Sequence, residues 1–440
     1  MMKDEHFFSV LKTKLFSLFA FGQMLSQFGD FLGQMALIAL IGAHKERSPL
    51  AFSELTISMA LPILLFGPIV GVLVDRWEKR KVLMVSDSLR ALIVFLIPLL
   101  LKSTRAIFSV YSLVFFLFLF GLFSSASRMA LIPVLAGKQR VLAANAVMNF
   151  IGRAAAVAGM ILGGLIVGWE FWWRIGCQSW EAGFYLDALT FLFSVGTLAL
   201  IKIKETTVPT REKSNLNNSQ FNLYDLWRKK ITAVGKDLLD SLQFIRGERV
   251  VLLVILSVVL VASFGGTLYA LIILIIQQVA AKEIEGVGFL GGIMALGMML
   301  GSFVLGMFGS RVDRKKIIIG GIGLLGIIIA LFAHSLIFLW MIPLAFLAGL
   351  ALSPVMISQD TLLHEIVPPS GHGRIFSTRD MVLNSGFVLS ALVIGFMAQV
   401  IVPLFGVGQK ERVTLFGVGI LIFILSLIGQ FWMTQNHRQK

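Results

Sequence analysis

An all-α integral membrane protein, twelve transmembrane helices in two pseudo-symmetric six-helix bundles, is the fold class that three features of this sequence predict. The 440 residues are 57% hydrophobic and only 14% charged, where a soluble protein is nearer half apolar and a quarter charged. The mean hydropathy is +0.88, and the apolar residues gather into long runs. One span takes about 20 such residues, so the supply covers about twelve spans and leaves little for a soluble domain. The third feature is a six, gap, six spacing of the runs, with the basic residues concentrated in alternate loops.

In chain order the runs predict spans at 15–43, 51–74, 82–101, 107–130, 143–169 and 182–203. After a gap they continue at 250–279, 287–310, 317–334, 336–358, 376–404 and 413–433. The first run is too long for the core of a signal peptide and shows no small-residue cleavage pattern, so it reads as a retained span. Residues 1–203 form the predicted N-terminal bundle and 250–440 the C-terminal one. Between them, 204–249 begins as a Thr/Ser/Asn-rich linker. It continues with Leu223, Leu226, Ile231, Val234, Leu238, Leu242 and Ile245 at spacings near three and four, the pattern of an amphipathic helix on the membrane surface.

A net charge of +14 would point to nucleic acid in a soluble protein. Placement excludes that reading here. Of the 38 Lys and Arg, 28 fall on the side that carries both termini, eight on the other, and Arg90 and Arg153 inside spans. The asymmetry predicts a multi-pass protein of the inner membrane with both termini cytoplasmic. The single cysteine, Cys177, falls in an external loop and can form no internal disulfide or cysteine metal cluster. No P-loop, metal-ligand spacing or hydrolase elbow occurs, so the sequence reads as a non-enzyme with no cofactor and no resident metal.

An internal repeat carries the most information. The loop after span 2 reads GVLVDRWEKRK (Gly71 to Lys81) and the loop after span 8 reads GMFGSRVDRKK (Gly306 to Lys316), at a constant offset of 235. Gly71 matches Gly306, Arg76 matches Arg311, Glu78 coincides with Asp313, and Lys79, Arg80 and Lys81 match Arg314, Lys315 and Lys316. Duplicated bundles of like orientation are a transporter architecture.

Gly71, Asp75, Arg76, Lys79, Arg80 and Lys81 resemble the loop 2-3 signature of the major facilitator superfamily, G-x-x-x-D-R-x-G-R-R-x, with Glu78 in place of the second glycine. The resemblance implies a gating latch that holds the bundles together on the cytoplasmic side when the cavity opens outward, with Arg128 as ionic partner. In the second copy Ser310 replaces the acid, beside Gly306, Arg311, Asp313, Arg314 and Lys315. In span 5, Gly159, Gly163 and Gly164 are similar to the antiporter motif G-P-x-x-G-G without its proline, and equally fit small-residue helix packing. GQMLSQFGD (Gly22 to Asp30), ALIPVLAGKQRVLAANAV (Ala130 to Val147) and GRIFS (Gly373 to Ser377) look like the macrolide-efflux type of drug:proton antiporter, to which lysophospholipid transporters are related.

An ionisable group at mid-membrane costs about 2.5–3.5 kcal/mol on insertion scales and therefore calls for a partner or a role. Asp30 lies roughly 22 Å along span 1 and Arg153 near the middle of span 5. Because the family fold lines its cavity with spans 1 and 5, the two are expected to pair, as a proton switch or as a structural ion pair. Gln23, Gln27, Asp30 and Gln34 form a stripe on one helix face, and Asn145 and Asn149 lead towards Arg153. These seven residues are the expected proton-coupling and substrate cavity. Asp87 and Arg90 read as a local pair in a peripheral span, and Asp187 as a rim residue. The second bundle is apolar at its middle, with Phe264, Tyr269 and Met356 as cavity candidates.

The function expected is secondary active export of a hydrophobic or amphiphilic small molecule, a lipophilic cation by the character of the two walls, in antiport with protons, by a monomer in the bilayer. A lysophospholipid flippase or a metal exporter of the same fold are alternatives, and a non-transporting receptor or scaffold is the reading from another class.

Overall fold

In the computed structural model, residues 7–44, 49–104, 107–137, 140–174, 176–201, 244–279, 283–308, 312–335, 337–367, 372–400 and 410–437 are described. The long helices are α1 (Lys14–His44), α2 (Pro49–Arg76), α3 (Lys79–Thr104), α4 (Ile107–Ala136), α5 (Val141–Gly168) and α6 (Ser179–Leu200). They continue with α7 (Arg249–Val279), α8 (Glu283–Phe308), α9 (Arg314–His334), α10 (Phe338–Ile366), α11 (His372–Val400) and α12 (Lys410–His437). Eleven of them are long and apolar enough to cross a membrane, and α2 contributes a twelfth apolar stretch, Ala51–Gly67. Two helices outrun the predicted spans: α4 continues through the apolar residues Leu131 to Ala136, and α10 continues to Ile366 because backbone hydrogen bonding carries on into polar residues such as Gln359 and Asp360. Most of the linker, including all but Ile245 of its expected amphipathic face, lies outside the described residues.

Helices α1–α6 pack together, chiefly as α1 on α6 and α5 and as α3 on α4 and α6, while α7–α12 pair as α8 with α10, α9 with α12 and α7 with α11. One apolar cluster joins Phe16, Leu83 and Val147 near the starts of α1, α3 and α5 to Ile132 and Leu198 near the ends of α4 and α6. Those ends therefore share a face, termed here the termini side. At the opposite, far side the Lys102 ammonium bonds Glu181 at 2.7 Å, tying the end of α3 to the start of α6. The Arg412 guanidinium donates to the Ser335 carbonyl at 2.9 Å, tying the start of α12 to the end of α9.

The bundles meet along two crossings, α5 on α8 and α2 on α11. Gly164 and Gly288 allow the first: a β-carbon on Gly288 would lie 2.9 Å from the Gly164 Cα, tighter than packing tolerates. Gly159 and Gly163, in contrast, face α1 at Phe28 and Leu32. At the second crossing the buried Ser53 hydroxyl donates to the Ala391 carbonyl at 2.7 Å. The Tyr269 hydroxyl of α7 reaches the Met59 sulfur of α2 at 3.5 Å. These cross-bundle contacts all lie in the far half.

Several described termini-side loop residues make bonds within their own bundles. Arg80 donates to the Leu198 and Ala199 carbonyls at 2.9 and 3.0 Å, Lys81 pairs with Glu78 at 2.6 Å, and Arg314 pairs with Glu365 at 2.5 Å. Asp313 caps α9 through the Lys315 amide at 3.0 Å, and Lys79 opens α3. Gly71 and Gly306 face open space. The side chains of Asp75 and Arg76, and Arg311 altogether, lie outside the described set.

Cys177 lies between the spans at the far side, where burial pushes its thiol up and Glu181, with its Oε2 3.7 Å away, adds to the effect. Thiol labelling at neutral pH is therefore expected to run slower than for a free cysteine and to rise as pH is raised; equal rates would contradict the placement. Gly288→Leu is expected to destabilise the protein in thermal unfolding by about 1–3 kcal/mol through overpacking. Gly196→Ala, whose new methyl meets open space, is expected to leave stability essentially unchanged.

Candidate functional site: a three-chambered central cavity

Asp30 lies midway along α1 and bonds the Arg90 guanidinium of α3 through its Oδ1 and Nη2. The expected pairing with Arg153 is thereby corrected. Arg90 sits on α3 three residues after Asp87, on the face turned into the bundle rather than towards its periphery, so it reaches α1 first. Asp30 keeps 28% of its side chain exposed while Arg90 keeps 10%, so the carboxylate meets the cavity and the guanidinium backs it.

Behind this pair runs a buried polar chain. The Gln23 amide donates to Ser194 Oγ at 3.0 Å, and Ser194 donates to Asp87 Oδ2 at 2.8 Å. Ser124 donates to Asp87 Oδ1 at 2.8 Å. Arg90 Nη1 stands 3.9 Å from Asp87, and its Cζ lies 4.2 Å over the Phe191 ring. Asp87 is thus a fully buried carboxylate held by hydroxyls from α4 and α6, which a purely local pairing with Arg90 does not describe. Gln23 belongs to this chain and lines none of the three chambers below, because the helix turns it towards α6 while Gln27 and Gln34 face inward.

Asp187 is also corrected. It is 2% exposed, with its carboxylate packed against Gly29 and Gly33 of α1, where the missing β-carbons leave room. Thr190 donates to it at 3.4 Å. Far from rimming the structure, it lines the same chamber as Asp30 and Arg90. The apolar run predicts span 6 from residue 182, whereas α6 begins at Ser179 and packs along α1, which carries Asp187 inward.

Three chambers adjoin. The acidic one, about 310 Å³, is lined by Gln27, Asp30, Gln34, Arg90, Arg128 and Asp187. The apolar one, about 540 Å³, is walled mainly by the second bundle, with Phe264, Tyr269, Phe332 and Phe387 among its residues and Gln34 shared with the acidic chamber. The Tyr269 and Phe387 rings meet edge on at 6.1 Å between centroids. Met356 does not line this chamber; it packs against the core. A third region of about 480 Å³, lined by Arg128, Asn145, Asn149 and Arg153, extends towards the termini side past Ile132. Arg128, expected at the loop latch, therefore belongs to the wall of two chambers.

A wall that joins an ion pair to a large apolar space can hold a charged or amphiphilic guest while keeping the pair hydrated from one side. Among the described residues no group of three or more His, Cys, Asp and Glu is placed to hold a metal ion. Removing the Arg90 charge leaves Asp30 and the buried Asp87 without their cationic partner, so Arg90→Gln is expected to lower stability by about 3–5 kcal/mol in thermal unfolding. Arg153→Gln, which breaks no described ion pair, is expected to change stability little; equal losses would contradict the network.

Comparison with known proteins agrees with this architecture. The sequence profile of the Major Facilitator Superfamily matches residues 19–281 and 255–440. The chain is 25% identical over 403 residues to the uncharacterized MFS-type transporter YfiS of Bacillus subtilis (strain 168), covering 86% of this chain and 85% of that protein. It is 23% identical over 402 residues to macrolide efflux protein A of Streptococcus pyogenes, covering 87% and 89%. Among solved structures, the nucleoside transporter NupG superposes with a TM-score of 0.72 at 13% identity, over 95% of this chain and 98% of that one. A bacterial homologue of the human lysosomal transporter Spinster, in an inward-facing and unoccupied conformation, gives 0.71 at 11%, over 96% and 97%. The chain belongs to the major facilitator superfamily, and is a multi-pass membrane transporter of that fold.

Proposed function

We propose that the protein exports a hydrophobic or amphiphilic small molecule by alternating access, in exchange for protons, with Asp30 as the group through which the exchange is coupled. The observation that carries this reading is the Asp30 carboxylate, bonded to Arg90 on one side and lining on the other a chamber that shares Gln34 with a 540 Å³ apolar space. A carboxylate in that position has three alternative partners: Arg90, a proton and a cationic group on the guest. Competition among them is a physical basis for antiport. The basic excess of the termini-side loops supports an inner-membrane protein with cytoplasmic termini. In that orientation the cross-bundle contacts of the far half close the cavity to the outside. The likeness to a macrolide efflux protein supports outward transport.

Asp30→Asn keeps the shape of the side chain and removes its titration. In proteoliposomes with an imposed pH gradient, the wild type is expected to accumulate a lipophilic drug and release protons. The variant is expected to lose both at least about tenfold. Proton movement unchanged in the variant would sink the role given to Asp30.

A further inference from the structure

The region of about 480 Å³ nearest the termini side is basic. Arg128 of α4 and Arg153 of α5 line it together with Ser125, Gln27, Asn145 and Asn149, and no carboxylate is among its lining residues. Arg128 Nη2 donates to Ser125 Oγ over a long 3.4 Å. Arg153 makes no hydrogen bond or ion pair among the described residues. Arg128 shares the neighbouring chamber with Asp30 and Asp187, yet neither arginine forms an ion pair among the described residues, and a guanidinium at membrane depth without one is costly to keep unless a ligand meets it. Their planar forks match the oxygens of a phosphate or carboxylate.

The neighbouring chambers say what else such a ligand must carry. Gln27, Phe31 and Arg128 are shared between the basic region and the acidic chamber that holds Asp30 and Asp187. Met160 is shared between the basic region and the apolar chamber. The adjoining chambers offer both signs, Asp30 and Asp187 on the wall of one and Arg128 and Arg153 on the wall of the other. A guest bearing both signs meets both sets of groups, whereas a lone cation or anion meets one.

We propose that Arg128 and Arg153 seat an anionic group of the transported molecule, phosphate or carboxylate, and that this molecule is a zwitterionic amphiphile. Its cationic group lies towards Asp30 and Asp187, and its apolar body fills the 540 Å³ chamber. The cationic half rests on the exchange at Asp30 proposed above; the anionic half stands without it.

The test measures binding to the purified full-length protein in maltoside micelles at fixed pH, using single-chain amphiphiles of equal chain length. Their heads are phosphoethanolamine, an amino-carboxylate zwitterion, phosphate alone, trimethylammonium and an uncharged glycol. The zwitterions are expected to bind at least about tenfold more tightly than the trimethylammonium compound. The stronger of the two zwitterions identifies phosphate or carboxylate as the anion. Arg153→Gln is expected to erase that preference by weakening zwitterion binding without weakening trimethylammonium binding, and Arg153→Lys to restore part of it. If Arg153→Gln lowers the unliganded melting temperature, Arg128→Gln supplies the same comparison. Trimethylammonium binding as tight as the zwitterions, or a zwitterion preference that survives both Gln variants, overturns the proposal. A zwitterion preference without substrate-driven proton movement sinks the exchange reading instead and leaves the arginine seat standing.

Discussion

Arg90 is the constraint around which the first bundle is organised. A guanidinium cannot be stripped of its charge at any ordinary pH and is costly to bury at mid-membrane, so the helices around it must supply anions. Asp30 comes from α1 and Asp87 from the same helix as Arg90, while Phe191 of α6 offers its ring face. Asp87 then needs donors of its own and takes them from Ser124 of α4 and Ser194 of α6. Four helices are thereby fixed in rotation about one charge. Removing any member leaves another buried group unsatisfied, which is why polar networks of this kind specify a single packing.

The second bundle follows the opposite rule. Its facing wall is aliphatic and aromatic, and its helices approach through small residues, as at Gly297 and Gly349 between α8 and α10. Lipid exerts no hydrophobic drive between helices, so close packing must do the work there. The charged wall of the first bundle thus stands opposite an apolar wall of the second. The crossing of Gly164 and Gly288 brings backbone against backbone, while Met160 and Ile161 pack beside it against Gly291 and Gly292.

The spans, their number and the duplicated loops were legible in the sequence because each is a property of composition or of self-similarity. The site was legible only in part. Spacing identifies Asp87 and Arg90 as neighbours on one helix face, but does not say which way that face turns, and α3 turns it inward. Gln23, Gln27, Asp30 and Gln34 share a stripe, yet the stripe is wide enough for its first member to serve the α6 contact and the others the cavity. Asp187 was hidden by a three-residue difference in where span 6 begins and by two glycines whose role depends on a partner helix distant in sequence. Long-range rotation of helices about their axes is fixed by packing, and no local pattern encodes it.

A double-mutant cycle on Asp30→Asn and Arg90→Gln, read by thermal unfolding of the full-length protein in micelles, tests the organising role of this pair most directly. The network predicts strong coupling, with the double variant more stable than the sum of the single losses allows by about 1.5 kcal/mol or more. Losses that add to within about 0.5 kcal/mol would contradict it, since two groups that do not interact destabilise independently.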